Sequence, residues 1–128
     1  MTITPHYPVI TPYLIVDDAS ALISFLKNVF GAEVRSSQNR EDSETIMHAE
    51  VTIGEGLVMI TNTTEEFSKS PAVLYIYLDE VDSYYEKAMS EGATSMEEPG
   101  NQEYGHRRAA FNDGFGNQWW VASPIQAK

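Results

Sequence analysis

The sequence of 128 residues predicts an α+β fold made of two successive βαβββ modules. The first observation behind this prediction is that the order strand, helix, strand, hairpin occurs twice along the chain. The second is that glycines recur in step, since Gly54 and Gly114 are 60 residues apart and Gly31 and Gly92 are 61 apart. Glycine is favoured at hairpin turns and helix ends because it adopts positive φ without steric cost. A repeat with this order and spacing indicates two copies of one supersecondary unit.

The first module is predicted over about residues 10–62. TPYLIV (11–16) is a short apolar run before two aspartates and therefore predicts a strand. Asp17 or Asp18 can cap the helix that follows, and Gly31 ends it. Apolar residues three and four apart make one buried stripe on this helix. These residues are Leu22, Phe25, Leu26, Val29 and Phe30. The remaining predicted elements are a strand at 32–36, a polar turn at 38–43, and a hairpin of strands 45–53 and 57–62.

The second module is predicted over about residues 72–123, after a linker at 63–71. AVLYIYL (72–78) predicts a strand, and the run from Asp79 to Asp82 offers caps for a helix at 83–91. The remaining predicted elements are the helix end at Gly92, a strand at 93–96, a loop at 97–105, and a hairpin of strands 107–112 and 117–122. We predict that both modules form a single domain of residues 1–128, because a chain of this length buries enough surface to fold without a disulfide or metal.

Composition excludes several classes of function. Eight Lys and Arg against nineteen Asp and Glu give a formal net charge of −11, which repels nucleic acid and anionic membranes. The chain has no cysteine, which excludes disulfides, thiolate metal sites and a cysteine nucleophile. The sequence begins without the basic and apolar regions of a secretory signal, and no apolar run is long enough to span a membrane. We therefore expect a cytoplasmic protein with no nucleic-acid or membrane partner.

Several segments together carry a family resemblance. They are PYLIVDDASALISFLKNVFGAEV (12–34), MHAEVTIGEGLVMI (47–60) and DGFGNQWWVA (113–122). In this order they resemble the vicinal oxygen chelate superfamily, the group of glyoxalase I, bleomycin-resistance proteins and extradiol dioxygenases. YGHRR (104–108) resembles the YGDR motif of the PhnB-like branch, although His106 replaces the aspartate. The resemblance implies that the two modules form a curved mixed sheet around a cavity, usually in a homodimer.

The resemblance also implies where a metal would bind. Metal-dependent members place four ligands, typically His and Glu, on the first and last strands of the two modules. By alignment these positions fall on Thr11, Ile60, Val73 and Trp120. A lone threonine hydroxyl is a poor ligand, and the other three side chains offer none, whereas a divalent cation needs several oxygen or nitrogen ligands. We therefore expect no metal and no cofactor.

Strand alternation then predicts the residues that face the cavity, because residues two apart lie on one face of a strand. In the last strand of the first module this gives Val58, Ile60 and Asn62. In the preceding strand, Met47, Ala49, Val51 and Ile53 are predicted to pack under the helix. The predicted ligand-binding residues are Tyr13, His48, Glu50, Tyr75, Tyr77, Arg108, Gln118 and Trp120.

Each candidate has a structural alternative. Aromatic residues on strands commonly pack against cross-strand neighbours, although four of them on one concave face favour a ligand surface. His48 and Glu50 are weak catalytic candidates as an acid–base couple, and a hydrogen-bonded pair at the sheet rim is the favoured interpretation. His106, Arg107 and Arg108 can hold an anionic group or cap the acidic loop before them. Trp119 alternates away from the cavity and is predicted to pack beneath a helix or in a dimer contact.

Two functions follow as hypotheses. The first is a metal-independent protein of the bleomycin-resistance type, which sequesters a small amphipathic, cationic aromatic molecule and forms a homodimer. Cation–π contacts and the acidic surface would favour such a ligand. The alternative is a lyase, isomerase or dioxygenase-type enzyme that uses His48 and Glu50, or a metal at an unmatched site. The sequence leaves open the identity of the ligand and whether the cavity closes within one chain or across a swapped dimer.

Overall fold

The elements follow the predicted order in the computed structural model, which describes residues 7–41 and 43–125. The first module consists of β1 (Tyr13–Val16), α1 (Ala19–Phe30), β2 (Glu33–Asn39), β3 (Ile46–Ile53) and β4 (Gly56–Asn62). The second consists of β5 (Val73–Tyr77), α2 (Val81–Ser90), β6 (Thr94–Asn101), β7 (His106–Asn112) and β8 (Gln118–Pro124).

Each module forms a four-stranded mixed sheet with the same strand order. The orders are β1-β4-β3-β2 and β5-β8-β7-β6. The first strand of each module runs parallel to the last, and the other neighbours are antiparallel. The parallel pairing requires a crossover, which each helix supplies. The predicted α+β fold with tandem βαβββ modules is therefore confirmed.

Helix α1 begins and ends as the sequence predicts. The Asp18 carboxylate accepts a hydrogen bond from the Ala21 N–H at 3.0 Å, which satisfies one free donor of the first turn. Gly31 has φ of 68°, and its N–H donates to the Lys27 carbonyl at 3.0 Å. A residue with a Cβ would be strained in this conformation. All five predicted apolar residues of this helix are buried.

Helix α2 starts earlier than predicted. Its N-cap is Glu80, which lies within the predicted run from Asp79 to Asp82 but has φ of 64° and makes no side-chain capping bond. Val81, the first helical residue, is 3% exposed, and its burial explains why the helix begins there. The helix ends at Ser90, and Gly92, with φ of 93°, follows the C-cap residue Glu91, close to the predicted end.

The outermost strands extend beyond their predicted ends. β2 runs to Asn39 and β6 to Asn101, through segments predicted as a turn and a loop. β2 is exposed along its whole length, so its backbone pairing with β3 holds it in place without an apolar pattern. In β6 the pairing shifts between Glu97 and Gly100, around Pro99. Proline lacks the N–H that a central strand needs and is tolerated at such edge irregularities.

The hydrophobic core is continuous between the modules. Phe30 of α1 packs against Trp119 of β8 and Tyr84 of α2, with ring centroids 5.5 Å apart in both pairs. Phe25 of α1 lies 6.1 Å from Phe111 of β7. Trp119 is fully buried, as its predicted position beneath a helix requires. With both helices on this inner side, the opposite side of each sheet is left open. Neither described helix is long and apolar enough to cross a membrane.

Candidate functional site

Strand pairing brings the predicted residues of the second module onto one face. Tyr75 pairs with Trp120 and Tyr77 with Ala122, and Ala122 also pairs with Arg108. Paired residues lie side by side on the same face of a sheet. The intervening Trp119 and Val121 are fully buried in the core, so this face points away from it. We call the open surface of Tyr75, Tyr77, Tyr104, Arg108, Gln118 and Trp120 the module 2 face.

The module 2 face is an aromatic surface. The rings of Tyr75 and Trp120 are parallel within 6°, with centroids 6.4 Å apart. Tyr77 lies 5.5 Å from Tyr75, and the Tyr104 hydroxyl lies 3.5 Å from that of Tyr75. Tyr75, Tyr77 and Tyr104 are 42%, 62% and 57% exposed. Tyr104 was not predicted as a site residue from the sequence. Its position in the YGHRR segment, four residues before the predicted site residue Arg108, could have indicated it.

Arg108 is held at this face by a carboxylate. Its Nε and Nη2 donate to the two oxygens of Glu97 at 2.6 and 3.0 Å, and its Nη1 donates to the Tyr104 hydroxyl at 3.0 Å. Its guanidinium carbon lies 5.1 Å from the Trp120 ring centre. The hydrogen bond with Glu97 is the main cause that raises the pKa of Arg108. The positive charge on this face is therefore compensated within the protein, in the geometry typical of bidentate pairs.

The three basic residues near this face do not converge on one anion site. Arg107 is directed to the Asp82 carboxylate, with nitrogen–oxygen distances of 2.6 and 2.8 Å, and these bonds lower the pKa of Asp82. His106 lies between tyrosine rings, 5.7 Å from Tyr77 and 5.3 Å from Tyr104. Its buried Nδ1 has no hydrogen-bond partner among the described residues.

The first module presents a different outer surface, and β4 corrects one prediction. Ile60 pairs with Leu14 and Ala49 and is fully buried in the core, so its predicted position in the cavity is wrong. Val58 is also a core residue, whereas Met59 pairs with Tyr13 and Glu50 on the outer side. Because β4 is apolar at both alternating sets of positions, its sequence does not indicate which set is buried.

Met47 is also placed differently from its prediction. Gln38 pairs with His48 and Asn39 pairs with Ile46, so Met47 is an extra residue in β3. Such a bulge shifts the alternation of side chains along the strand. Ile46 takes the inward place, and Met47 is 37% exposed on the outer side instead of packing under the helix.

Glu50 is the centre of a hydrogen-bonded network on this surface. Its carboxylate accepts from Arg35 Nη2 at 2.9 Å and from the Tyr7 hydroxyl at 2.9 Å. His48 Nε2 is 3.6 Å away, beyond hydrogen-bond distance. Burial alone would raise the pKa of Glu50, but the bonds from Arg35 and Tyr7 outweigh it and lower the pKa below its ordinary value. The arrangement favours a structural ion pair over an acid–base couple.

The residues at the implied metal positions do not fit a divalent cation. Thr11 precedes β1, and its hydroxyl lies 3.4 Å from the Pro8 carbonyl oxygen. On β4 the outward neighbours of Ile60 are Met59 and Thr61, which add one hydroxyl and no carboxylate or imidazole. Within residues 7–41 and 43–125 no cluster of three or more His, Asp or Glu is placed to hold a metal ion.

Known proteins resemble the chain over nearly its whole length. The family model described as Glyoxalase/Bleomycin resistance protein/Dioxygenase superfamily matches residues 6–121. The uncharacterized protein Mb0911c of Mycobacterium bovis is 26% identical over an alignment of 130 positions. The alignment covers 93% of this chain and 85% of that protein.

Solved structures show the same fold at low identity. TioX from Micromonospora sp. ML1 has a TM-score of 0.78 at 21% identity, covering 93% of this chain and all (100%) of that one. The fosfomycin resistance protein FosX of Listeria monocytogenes has a TM-score of 0.69 at 21% identity, with coverages of 92% and 94%. A Bacillus cereus structure titled as a putative 3-demethylubiquinone-9 3-methyltransferase, PhnB protein, has a TM-score of 0.67 at 18% identity, with coverages of 91% and 99%.

Proposed function

This chain belongs to the glyoxalase/bleomycin resistance protein/dioxygenase superfamily, and we propose that it is a metal-independent member that binds a small amphipathic, cationic aromatic molecule. The observation that carries this proposal is the parallel pair Tyr75 and Trp120 on the open module 2 face. Large aromatic side chains usually bury their surface, so a cluster of exposed ones favours a binding role.

Electrostatics favour a cationic ligand over an anionic one. Aromatic faces attract cations through their quadrupole, and this attraction grows when the pair is desolvated. The net charge of −11 raises the local concentration of cations around the protein. An anion would have to compete with Glu97 for Arg108 and with Asp82 for Arg107. The tyrosine and tryptophan rings therefore supply the binding contacts.

The descriptions of the relatives support antibiotic resistance as the biological role, which we propose this chain exerts by sequestering its ligand. The superfamily includes bleomycin resistance proteins by its description, and FosX is described as a fosfomycin resistance protein. The YGHRR segment and the similarity to the PhnB protein of B. cereus support the PhnB-like branch as part of the proposal. The enzyme alternative has weaker support, because the Glu50 carboxylate is hydrogen-bonded by Arg35 and Tyr7, whereas His48 Nε2 approaches it only to 3.6 Å. The proposal keeps the cytoplasmic location that the sequence predicts.

We also propose that two copies of the chain associate as a homodimer. Ile10, Pro12 and Val73 line one groove of about 600 Å³ between β1 and β5. Ile10 and Val73 are 82% and 67% exposed, and β1 and β5 are edge strands of their sheets, with the linker bonded only to the Ile15 and Val16 end of β1. Exposed apolar side chains beside strand edges are typical of interfaces between chains. Sedimentation velocity should give about twice the monomer mass, and Val73→Lys should shift the protein to monomer.

A thermal-shift panel tests the proposed ligand class. Cationic aromatic antibiotics including bleomycin, glutathione–methylglyoxal adducts, and the divalent ions of Zn, Ni, Mn and Fe would each be added separately. A ligand at a hundred times its dissociation constant adds about 2.7 kcal/mol, which raises the melting temperature by several degrees. We expect this rise with cationic aromatics and none with metals. A rise with metals alone would overturn the proposal in favour of an enzyme.

A further inference from the structure

The outer side of the first module carries a pocket of about 800 Å³ that the proposed function does not use. The inter-module linker forms one wall of this pocket. Thr63 N–H donates to the Val16 carbonyl at 2.9 Å, and Ser70 N–H donates to the Ile15 carbonyl at 3.2 Å. Thr64 N–H donates to the Phe67 carbonyl at 2.9 Å, which closes a turn between these two attachments. The linker is therefore fixed against β1 at both ends.

Most of the pocket is apolar. Its apolar lining residues are Tyr13 and Ile15 of β1, Met47 of β3 and Phe67 of the linker. Tyr13, Met47 and Phe67 are 51%, 37% and 58% exposed, which leaves a large apolar surface uncovered. The bulge that turns Met47 outward contributes to this surface. A volume of 800 Å³ lies within the range of pockets that hold small organic molecules.

Arg40 supplies a cation in this apolar pocket. Its Nη2 donates to the Asn62 carbonyl at 3.0 Å and approaches the Thr61 hydroxyl at 3.4 Å. The chain has three other arginines, Arg35, Arg107 and Arg108, and each is bound to a carboxylate. Within residues 7–41 and 43–125, no carboxylate lies within the 4.0 Å ion-pair distance of Arg40. Among the described residues of this acidic protein, the half-buried Arg40 is therefore an arginine at the pocket wall without an ion pair.

We propose that this pocket binds an apolar carboxylic acid, with the carboxylate at Arg40 and the apolar body against Tyr13, Met47 and Phe67. Arginine and carboxylate match in geometry, and a charge-assisted bond is stronger than a neutral one. Glu65 and Glu66 also line the pocket, but both are solvent-exposed, so water and salt screen their repulsion. The site does not depend on the module 2 face, since none of the residues of that face line the pocket.

Isothermal titration of the unmodified protein with octanoate and octylammonium tests which ligand charge the pocket prefers, because the two compounds have chains of eight carbons but opposite charges. We expect octanoate to bind at least tenfold more tightly than octylammonium. Shortening the acid to butanoate should weaken binding by about threefold or more for each methylene removed, because each missing methylene reduces the apolar surface that the ligand buries in the pocket. Octylammonium binding to the Trp120→Ala variant, whose module 2 face is impaired, that equals or exceeds octanoate binding would overturn the proposal, and so would the absence of octanoate binding.

Variants then locate the site. Arg40→Gln should abolish octanoate binding and Arg40→Lys should retain part of it, while Phe67→Ala should weaken it about tenfold, as for an aromatic anchor. Trp120→Ala is the control and should leave octanoate binding unchanged. Circular dichroism checks that each variant is folded, and the comparison of the two ligands on the unmodified protein does not depend on any variant. Full octanoate binding by a folded Arg40→Gln variant, or its loss in Trp120→Ala alone, would place the acid elsewhere.

Discussion

The two modules use the same strand order to present different chemistry on their outer sides. Both have an Arg–Glu ion pair between one edge strand and the strand next to it, but the charges are exchanged. In the first module Arg35 of β2 binds Glu50 of β3, whereas in the second Glu97 of β6 binds Arg108 of β7. Arg35 lies 4.4 Å from the ring centre of Tyr7, while Arg108 lies 5.1 Å from that of Trp120.

The difference shows that a repeated backbone fixes the position of side chains without fixing their chemistry. The linker covers part of the first outer side and produces a pocket with an arginine at its wall. The second outer side exposes Tyr75, Tyr77 and Tyr104. Our two proposals assign opposite charge preferences to these surfaces, and the mutations below test whether the surfaces are independent.

The largest effect should come from removing the packing that joins the modules. Phe30 of the first module contacts Phe111 and Trp119 of the second, so Phe30→Ala should lower the free energy of unfolding by about 3–5 kcal/mol. Because we predict a single domain, urea unfolding should remain one transition by both fluorescence and circular dichroism. Two separated transitions would show that the modules unfold independently.

A second large effect should distinguish the two hairpin turns. Asp113 is 4% exposed, and its carboxylate accepts from the Trp119 indole at 2.9 Å and the Asn117 amide at 2.9 Å. Asp113→Ala leaves these buried donors unpaired and should cost about 3 kcal/mol of unfolding free energy. Glu55, in the corresponding turn of the first module, is exposed, and Glu55→Ala should change stability by less than about 0.5 kcal/mol. Equal losses in chemical denaturation would contradict this contrast.

An intermediate effect concerns binding. Trp120→Ala should weaken a cationic aromatic ligand by about 1 kcal/mol or more, in the range of aromatic anchors. Phe67→Ala, the truncation of an exposed aromatic residue in the linker, should leave this ligand unaffected. Calorimetric titration of both variants measures the two losses. If Phe67→Ala weakened the cation as much as Trp120→Ala, the two surfaces would not be separate sites.

The smallest effect is a pH dependence. The pKa of Glu50 is lower in the folded protein than in the unfolded chain. Ionised Glu50 therefore stabilises the fold at pH values above its unfolded pKa. This stabilisation is lost as the pH falls through the pKa that Glu50 has in the folded protein. Glu50→Gln should therefore be less stable than the unmodified protein at neutral pH, and the difference should shrink below about pH 4. Asp82→Asn, at the more exposed pair with Arg107, should show a weaker version of this profile. Urea unfolding midpoints between pH 3 and pH 8 check both variants. A stability difference between Glu50→Gln and the unmodified protein that did not change with pH would contradict the lowered pKa of Glu50.

The sequence was sufficient for the fold because its signals were local. The cap at Asp18, the glycine at position 31 and the apolar stripe of α1 each act within a few residues, and all were confirmed. The face of β8 was also predicted correctly, since a buried Trp119 and an outward Trp120 follow from simple alternation.

The remaining site features depend on contacts between distant segments. The alternation of β4 was ambiguous because it is apolar on both sides, which explains the error at Ile60. The bulge at Met47 and the attachment of the linker to β1 arise from pairing between segments that are distant in sequence, and local sequence patterns do not predict such pairing. Glu97 was assigned to a loop, so its pairing with Arg108 could not be predicted.

The most direct test of metal-independent cation binding is a titration of the purified protein in excess EDTA. Ethidium serves as a planar cation and 1-anilinonaphthalene-8-sulfonate as an aromatic anion, and calorimetry measures both on the unmodified protein and on Trp120→Ala. We predict saturable ethidium binding that is about tenfold weaker in the variant, whereas binding of the anion, which the Arg40 pocket can accept, should be unchanged in the variant. Ethidium binding that required a divalent metal, or that was unchanged in Trp120→Ala, would contradict a metal-independent site on the module 2 face.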